Sequence, residues 1–344
     1  MFSGAGRSPT IAPVDSALGI VISLSGIEDT VAAAVHAEQA GFESAWTTEF
    51  PDHSATVQLA AVAVATERIT LGTAIAYGFG RTPIVLAAEA RDLDSLSGGR
   101  LLLGLGTGTK KMQRDWHGLD GEHPAPRMEE LVPLLRALIS LDTGPVDHEG
   151  RFYRSVVHPT APVPPPLRRD LPIYMAGVNA RMIESAGAVA DGLVGHPLFT
   201  PEYTNEVVRP ALARGAERAG RDAPPPIAGY VTCFVDEDRD VARNTARAVV
   251  AFNSTVSTYR PILSLHGFDA EADAIRAAWE QGDWAGMGGA VTDEMLDTIA
   301  LAGTAEEVRA AYAERRAGLF ERTLLWTPLL GLDGVRRVVD AFAA

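Results

Sequence analysis

A carboxylate closes the short run Ala45-Trp-Thr-Thr-Glu49, directly before Phe50 and Pro51. At a strand end that opens onto a site, Glu49 would be an acid, a base or an orienting acceptor; elsewhere the same residue would cap a helix or sit in a loop. His196 closes another apolar run and precedes Pro197, so it faces either that same end or an ordinary hydrogen-bonded niche. The stretch Leu101-Leu-Leu-Gly-Leu-Gly-Thr-Gly-Thr109 adds a glycine turn. Its glycines, Gly104, Gly106 and Gly108, are spaced by two throughout, which is neither the G-x-G-x-x-G of dinucleotide folds nor a P-loop. The turn offers backbone N–H groups and the Thr107 and Thr109 hydroxyls to an anion or a cofactor; its plainer reading is a tight reversal. The eight histidines show no H-E-x-x-H or comparable spacing, so no metal site is expected. No G-x-S-x-G elbow is present, and the single Cys233 lies in an apolar run with no evident base, which fits a buried structural thiol and not a nucleophile.

Charge and composition narrow the partners. With 30 basic against 44 acidic residues the net charge is −14, the wrong sign for neutralising a nucleic-acid backbone. The longest apolar stretches, such as 69–76, fall far short of the roughly 20 residues that cross a bilayer. Residues 1–17 hold Gly, Ser, Pro and one Arg without a continuous apolar core, so they read as a loose tail and not a secretory signal. A lone cysteine agrees with a cytoplasmic setting. At 344 residues and 47% hydrophobic, the chain can build one large or two ordinary cores.

The elements that must position these residues alternate. Short apolar runs at 18–24, 44–49, 69–76, 101–106, 173–177, 193–196, 227–235 and 323–327 are each followed by a helical pattern: 27–41, 53–67, 83–96, 127–141, 180–190, 201–220, 237–257 and 333–343. Eight strand–helix units predict an α/β fold, a closed (β/α)8 TIM barrel, with a doubly wound open sheet as the competing arrangement. Two irregular stretches interrupt the alternation: 142–171, rich in proline, and 258–290, with Trp279, Trp284 and several glycines. Each is expected to be either a lid or packing surface.

Several of these segments carry a family pattern. Ile69-Thr-Leu-Gly-Thr-Ala-Ile75, Pro83-Ile-Val-Leu-Ala87, Leu93-Asp-Ser-Leu-Ser-Gly-Gly-Arg-Leu-Leu-Leu-Gly-Leu-Gly-Thr-Gly108, Pro172-Ile-Tyr-Met-Ala-Gly177 and Ala190-Asp-Gly192 together resemble the bacterial-luciferase-like superfamily of flavin and deazaflavin oxidoreductases, from about residue 18 to the end. Thr48-Glu49, Gly106-Thr-Gly108, Arg127-Met-Glu-Glu130 and Phe252–Tyr259 resemble its branch dependent on the deazaflavin coenzyme F420. The resemblance implies one barrel domain over 18–344, with the coenzyme ring in the barrel mouth behind a cis peptide at Ala74-Ile75. It implies that Thr107, Gly108 and Thr109 hold the phosphodiester tail, although Thr109 replaces a frequent glutamate, and that Ala176, Gly177, Val178 and Asn179 contact the phosphate side. Glu49 falls where relatives commonly have an aspartate, and Phe50 where several have a histidine, so acid chemistry must pass to Glu49, His196, a tyrosine or water. Trp46, Phe50, Tyr77 and Phe79 would border ring and substrate, or else belong to the core.

The implied activity is hydride transfer between F420 and a small organic substrate, reducing an activated C=C or C=N bond or oxidising an alcohol. The alternatives are an FMN-dependent monooxygenase served by a flavin reductase, and a non-catalytic cofactor-binding relative. The resemblance also implies a homodimer.

Overall fold

The computed structural model describes residues 17–343. The tail expected over 1–17 lies outside the described residues except for Ala17, whose carbonyl accepts from the Thr323 amide at 3.1 Å. Eight strands close into a barrel: β1 (Leu18–Ile22), β2 (Ser44–Thr47), β3 (Thr70–Thr73), β4 (Leu101–Gly106), β5 (Ile173–Ala176), β6 (Gly192–Val194), β7 (Ile227–Val235) and β8 (Arg322–Trp326). Each pairs in parallel with its neighbours, and β8 returns to β1 in the register Leu18↔Thr323 to Val21↔Trp326. The strands are buried along nearly their whole length, polar Ser44, Thr47, Thr73, Thr232 and Thr323 included, because a parallel sheet is covered on both faces.

Two layers of core follow. One lies between strands and helices; the other fills the barrel with Val21, Trp46, Ala74, Leu102, Tyr174, Val194, Ala228, Tyr230 and Leu324. Glycine makes room for the two large rings. Trp46 lies beside Gly72 in the β2–β3 register, and a methyl group there would come within 2.1 Å of the indole. Tyr174 lies beside Gly192 in the same way, at 2.1 Å.

The unit count holds, with additions. A strand at Ala300–Gly303 pairs with the outer half of β7, and the antiparallel hairpin Val146–Glu149/Arg154–Val157 occupies the first irregular stretch. A helix at Lys110–His117 follows the glycine turn, where no element was expected. Thr109 caps it, accepting from the Met112 amide at 3.2 Å, so the turn does open a helix although its glycine spacing is not that of a dinucleotide fold.

The stretch 142–171 runs along the outside of the barrel. Arg168 reaches the buried Asp94 and the Leu101 carbonyl at the start of β4, which fixes its proline-rich end at the bottom, away from the mouth. This corrects the lid expectation for that end. The stretch 258–290 is helical, with Arg260–Leu265, Asp269–Glu280 and Trp284–Gly289, and it begins at the mouth, where Tyr259 packs 4.0 Å from the His196 ring.

Candidate active site at the barrel mouth

The C-terminal ends of the strands bring Ser23, Thr48–Phe50, Ala74–Tyr77, Gly106–Thr109, Ala176–Asn179, His196 and Trp326 to one rim. Glu49 is held there on three sides. Arg81 donates to both of its oxygens, Nη2 to Oε1 at 2.7 Å and Nη1 to Oε2 at 2.9 Å, and the Tyr77 amide adds a bond of 2.8 Å to Oε2. Of the roles open to Glu49, the geometry matches the orienting acceptor. Burial opposes the charge of Arg81, but Glu49 and Glu89 more than offset it and raise its pKa.

The peptide bond Ala74-Ile75 is cis. The Ala74 carbonyl accepts from Tyr230 Oη at 2.5 Å, and Tyr230 in turn stands edge-on to Trp326. Ile75 closes on Gly106: a Cβ on that glycine would come within 2.7 Å of the isoleucine side chain. Tyr77 lies buried between Trp116 and His117. Burial, and after it the charges of Glu49 and Tyr259, push its phenol above the ordinary value, so it stays protonated.

His196 is a neutral ring. Burial pushes its pKa down to about 3, and its Nδ1 accepts from the Leu198 amide at 3.3 Å, which leaves Nε2–H as a donor. It is thereby a fixed hydrogen-bond donor and not the proton-releasing acid that its position suggested. Two aromatic expectations also change. Trp46 is wholly buried in the barrel interior, where its N–H is bonded to Ser44 Oγ, so it supports the floor and does not face a substrate. Phe79 is buried beneath the Arg127 guanidinium, 4.2 Å above its ring. Phe50 is 44% exposed and Tyr77 stands at the rim.

Two helices start side by side above the adjacent strands β4 and β5: Lys110–His117, capped by Thr109, and Ala180–Val189, capped by Asn179 through the Met182 amide at 3.1 Å. Among the described residues, the amides of Thr107, Gly108, Val178 and Asn179 donate to no backbone acceptor. Gly108 has φ +65, and a Cβ there would press on the Tyr77 ring at 3.2 Å. Unengaged amides at two helix N-termini form a donor set for a phosphate. The residues present therefore fit an anionic, ring-bearing coenzyme.

Sequence reasoning passed over Arg81, and it had Thr48 and Tyr259 only as members of family-like segments, without the pair Thr48–His53. His53 was legible only as one histidine among eight; its contact with Thr48 depends on the turn at Phe50–His53, where the two backbones pair.

The fold and rim define a barrel oxidoreductase. The chain matches the model of the luciferase-like monooxygenase family over residues 10–322, and it belongs to that family. It is 35% identical over 302 residues to an uncharacterized protein of Mycobacterium tuberculosis, covering 85% of this chain and 88% of that one. It is 30% identical over 280 residues to the 5,10-methylenetetrahydromethanopterin reductase of Archaeoglobus fulgidus, covering 79% and 81%. Among solved structures, the coenzyme F420-dependent tetrahydromethanopterin reductase of Methanopyrus kandleri superposes with a TM-score of 0.80 at 26% identity, over 96% of this chain and 98% of that one.

Proposed function

We propose that the chain binds F420 in the barrel mouth and moves a hydride between it and a small organic substrate, either reducing an activated C=C or C=N bond or oxidising an alcohol. The observation that carries this reading is the donor set of Thr107, Gly108, Val178 and Asn179 at two adjacent helix N-termini, in a chain similar to a structure whose coenzyme is F420. When bound, the deazaflavin supplies or accepts the hydride. The chain's own part is to hold, orient and shield. The amides receive the phosphodiester, with the Thr107 hydroxyl bracing the turn through the Gly108 carbonyl; Ile75 and Ala74 back the ring; Glu49, fixed by Arg81, holds the Tyr77 segment through its amide. His196 Nε2–H and the protonated Tyr77 supply hydrogen bonds, while Tyr259 covers the β6 side and limits water. Phe50, with no proton to give, contributes apolar surface.

An FMN-dependent monooxygenase with a partner flavin reductase is the second reading. It is favoured by a likeness to an FMN-bound Baeyer-Villiger monooxygenase structure, with a TM-score of 0.65, but at 17% identity this speaks for the fold alone. Side-by-side calorimetric titration of the protein with F420 and FMN tests the choice. Preferential F420 binding is expected; preferential FMN binding overturns the proposal, and binding of neither favours a non-catalytic relative.

A homodimer belongs to the same proposal. Helix Ala55–Ala65 is apolar nearly all round: its Thr56 and Gln58 are buried, and its outer face presents Val57 at 57% and Val64 at 73% exposure. A helix without a polar face calls for cover on both sides, and a second copy of this chain would supply it. Among the described residues no helix is long and apolar enough to cross a membrane.

A further inference from the structure

A hydride that arrives at a substrate leaves a negative atom in want of a proton; the Tyr77 phenol is pushed up and holds its own, and the two other side chains expected to give one are engaged. Glu49 is clasped by Arg81, and His196 is held neutral. A continuous chain of hydrogen bonds nevertheless runs to the rim. Asp52 Oδ1 is 3.0 Å from His53 Nδ1; His53 Nε2 is 3.0 Å from Thr48 Oγ1; and Thr48 Oγ1 is 3.2 Å from Ser23 Oγ. Ser23 Oγ also accepts from Trp326 Nε1 at 3.1 Å, which fixes it between β1 and β8. The inner members are enclosed, with the His53 side chain 6% and Thr48 4% exposed. The outer end is open, with Asp52 57% exposed and further anchored by the Ser25 hydroxyl.

We infer that His53 is a proton reservoir for the barrel mouth, filled and emptied through Thr48 and Ser23. The bonding capacity of the chain allows two consistent arrangements. With both ring nitrogens protonated, Nδ1–H donates to Asp52, Nε2–H donates to Thr48, and the Thr48 hydroxyl donates to Ser23. Ser23 then accepts twice, from Thr48 and Trp326, so its own O–H is free to donate at the rim. With the ring neutral, Nδ1–H still donates to Asp52, but Thr48 donates to Nε2 and Ser23 donates to Thr48. Passing from the first arrangement to the second breaks one bond to hydrogen and makes one at each step: Nε2 to Thr48, Thr48 to Ser23, Ser23 to the acceptor. One proton is delivered and the imidazolium becomes imidazole. A hydronium ion from solvent at the open mouth returns one proton by the reverse path and leaves as water, and in the oxidising direction the neutral chain takes up the proton of the alcohol. Asp52 accepts from Nδ1–H in both arrangements and so holds the ring in place. Ser23 is the member that meets the substrate; Thr48 and His53 act through it.

This inference rests on the hydride-transfer reading, and its test separates the two. The full-length protein without coenzyme, labelled with 15N at histidine, is followed by NMR, with His53 assigned by the signals lost in His53→Gln. At a pH where the 15N shifts show both ring nitrogens protonated, the exchange of the Nε2 proton with water is measured in wild type, Ser23→Ala, Thr48→Val and the hydroxyl-retaining Ser23→Thr, with circular dichroism confirming the fold. Slowing by about tenfold or more in Ser23→Ala and Thr48→Val, and restoration in Ser23→Thr, is the expected result. Exchange unchanged in the first two variants overturns the relay, because protons would then reach the ring from the Asp52 side. F420 is titrated into the same samples. Failure to bind removes the functional reading while the exchange rates still decide the relay; binding with unchanged exchange removes the relay alone.

Discussion

Replacing Arg81 by Met tests whether the rim is held together by charge. In the native protein the guanidinium binds both Glu49 oxygens at 2.7 and 2.9 Å and Glu89 at 3.0 Å. The Arg81 and Glu49 side chains are only 15% and 12% exposed, so solvent screens the pair weakly. Removing one member of such a pair costs about 3–5 kcal/mol because the other charge stays buried. Here the Tyr77 amide remains on Glu49, which places R81M near the lower end, about 3 kcal/mol. Adding E49Q removes the stranded charge, so R81M/E49Q should be less destabilised than the sum of its single variants by about 2 kcal/mol. Urea unfolding at pH 7, followed by far-ultraviolet circular dichroism with the m-value held constant, measures each corner of the cycle. A cost below about 1 kcal/mol for R81M, or strict additivity of the two substitutions, would refute the view that Glu49 is a buried, orienting acceptor.

Three further outcomes follow from the packing and the charges. Gly72→Ala drives a methyl group into the Trp46 ring and should lower stability by about 2 kcal/mol or more, read as a lower urea midpoint; an unchanged midpoint contradicts the described register. His196 has a folded pKa of about 3 against an ordinary 6.5, so the unfolded chain takes up a proton that the folded chain refuses, and stability falls as pH drops from 6.5 toward 3. His196→Gln should make that acid-side slope shallower by up to about 1.4 kcal/mol per pH unit, and parallel stability–pH curves for the two proteins argue against a buried neutral ring. Val64→Asp puts a charge on the apolar outer face of the helix Ala55–Ala65 and should convert a dimer to a monomer by light scattering after size exclusion; a wild-type protein already at one chain mass rejects the dimer outright.

The barrel was legible because most of its strands lie in short apolar runs, each followed by a helical pattern, the first of them closed by Gly41 after Ile27–Gln39. What escaped detection was short or continuous with something else. Ala300–Gly303 extends the apolar pattern of the helix Asp293–Ile299 and becomes a strand only because β7 is long enough to offer it an edge. The Lys110–His117 helix is polar nearly throughout, so no apolar periodicity marks it; its cap, Thr109, was the available signal. At the site, the glycine turn and Glu49 stood out by residue type and strand-end position. Arg81 did not, because its partner lies 32 positions away across the β2 and β3 loops. Nor did Trp46 reveal its burial, since whether a strand residue faces the interior or the mouth depends on how far along the barrel axis it sits.

The tryptophans are distributed so that the protein reports on its own layers. Trp46 is sealed inside the barrel, bonded to Ser44, while Trp279 and Trp284 stand edge to face on the insertion helices, 40% and 64% exposed. Buried indole emits toward the blue and wet indole toward the red; Trp116 at the rim is 46% exposed and also emits toward the red, so with Trp116→Phe the red edge belongs to the insertion and the two signals separate. Heating or denaturant that loosens the insertion ahead of the barrel would change the red edge first, and a ligand that draws the insertion over the mouth would move that edge while leaving the blue component still. The light from an unlabelled sample thus distinguishes a cover that moves from a barrel that melts.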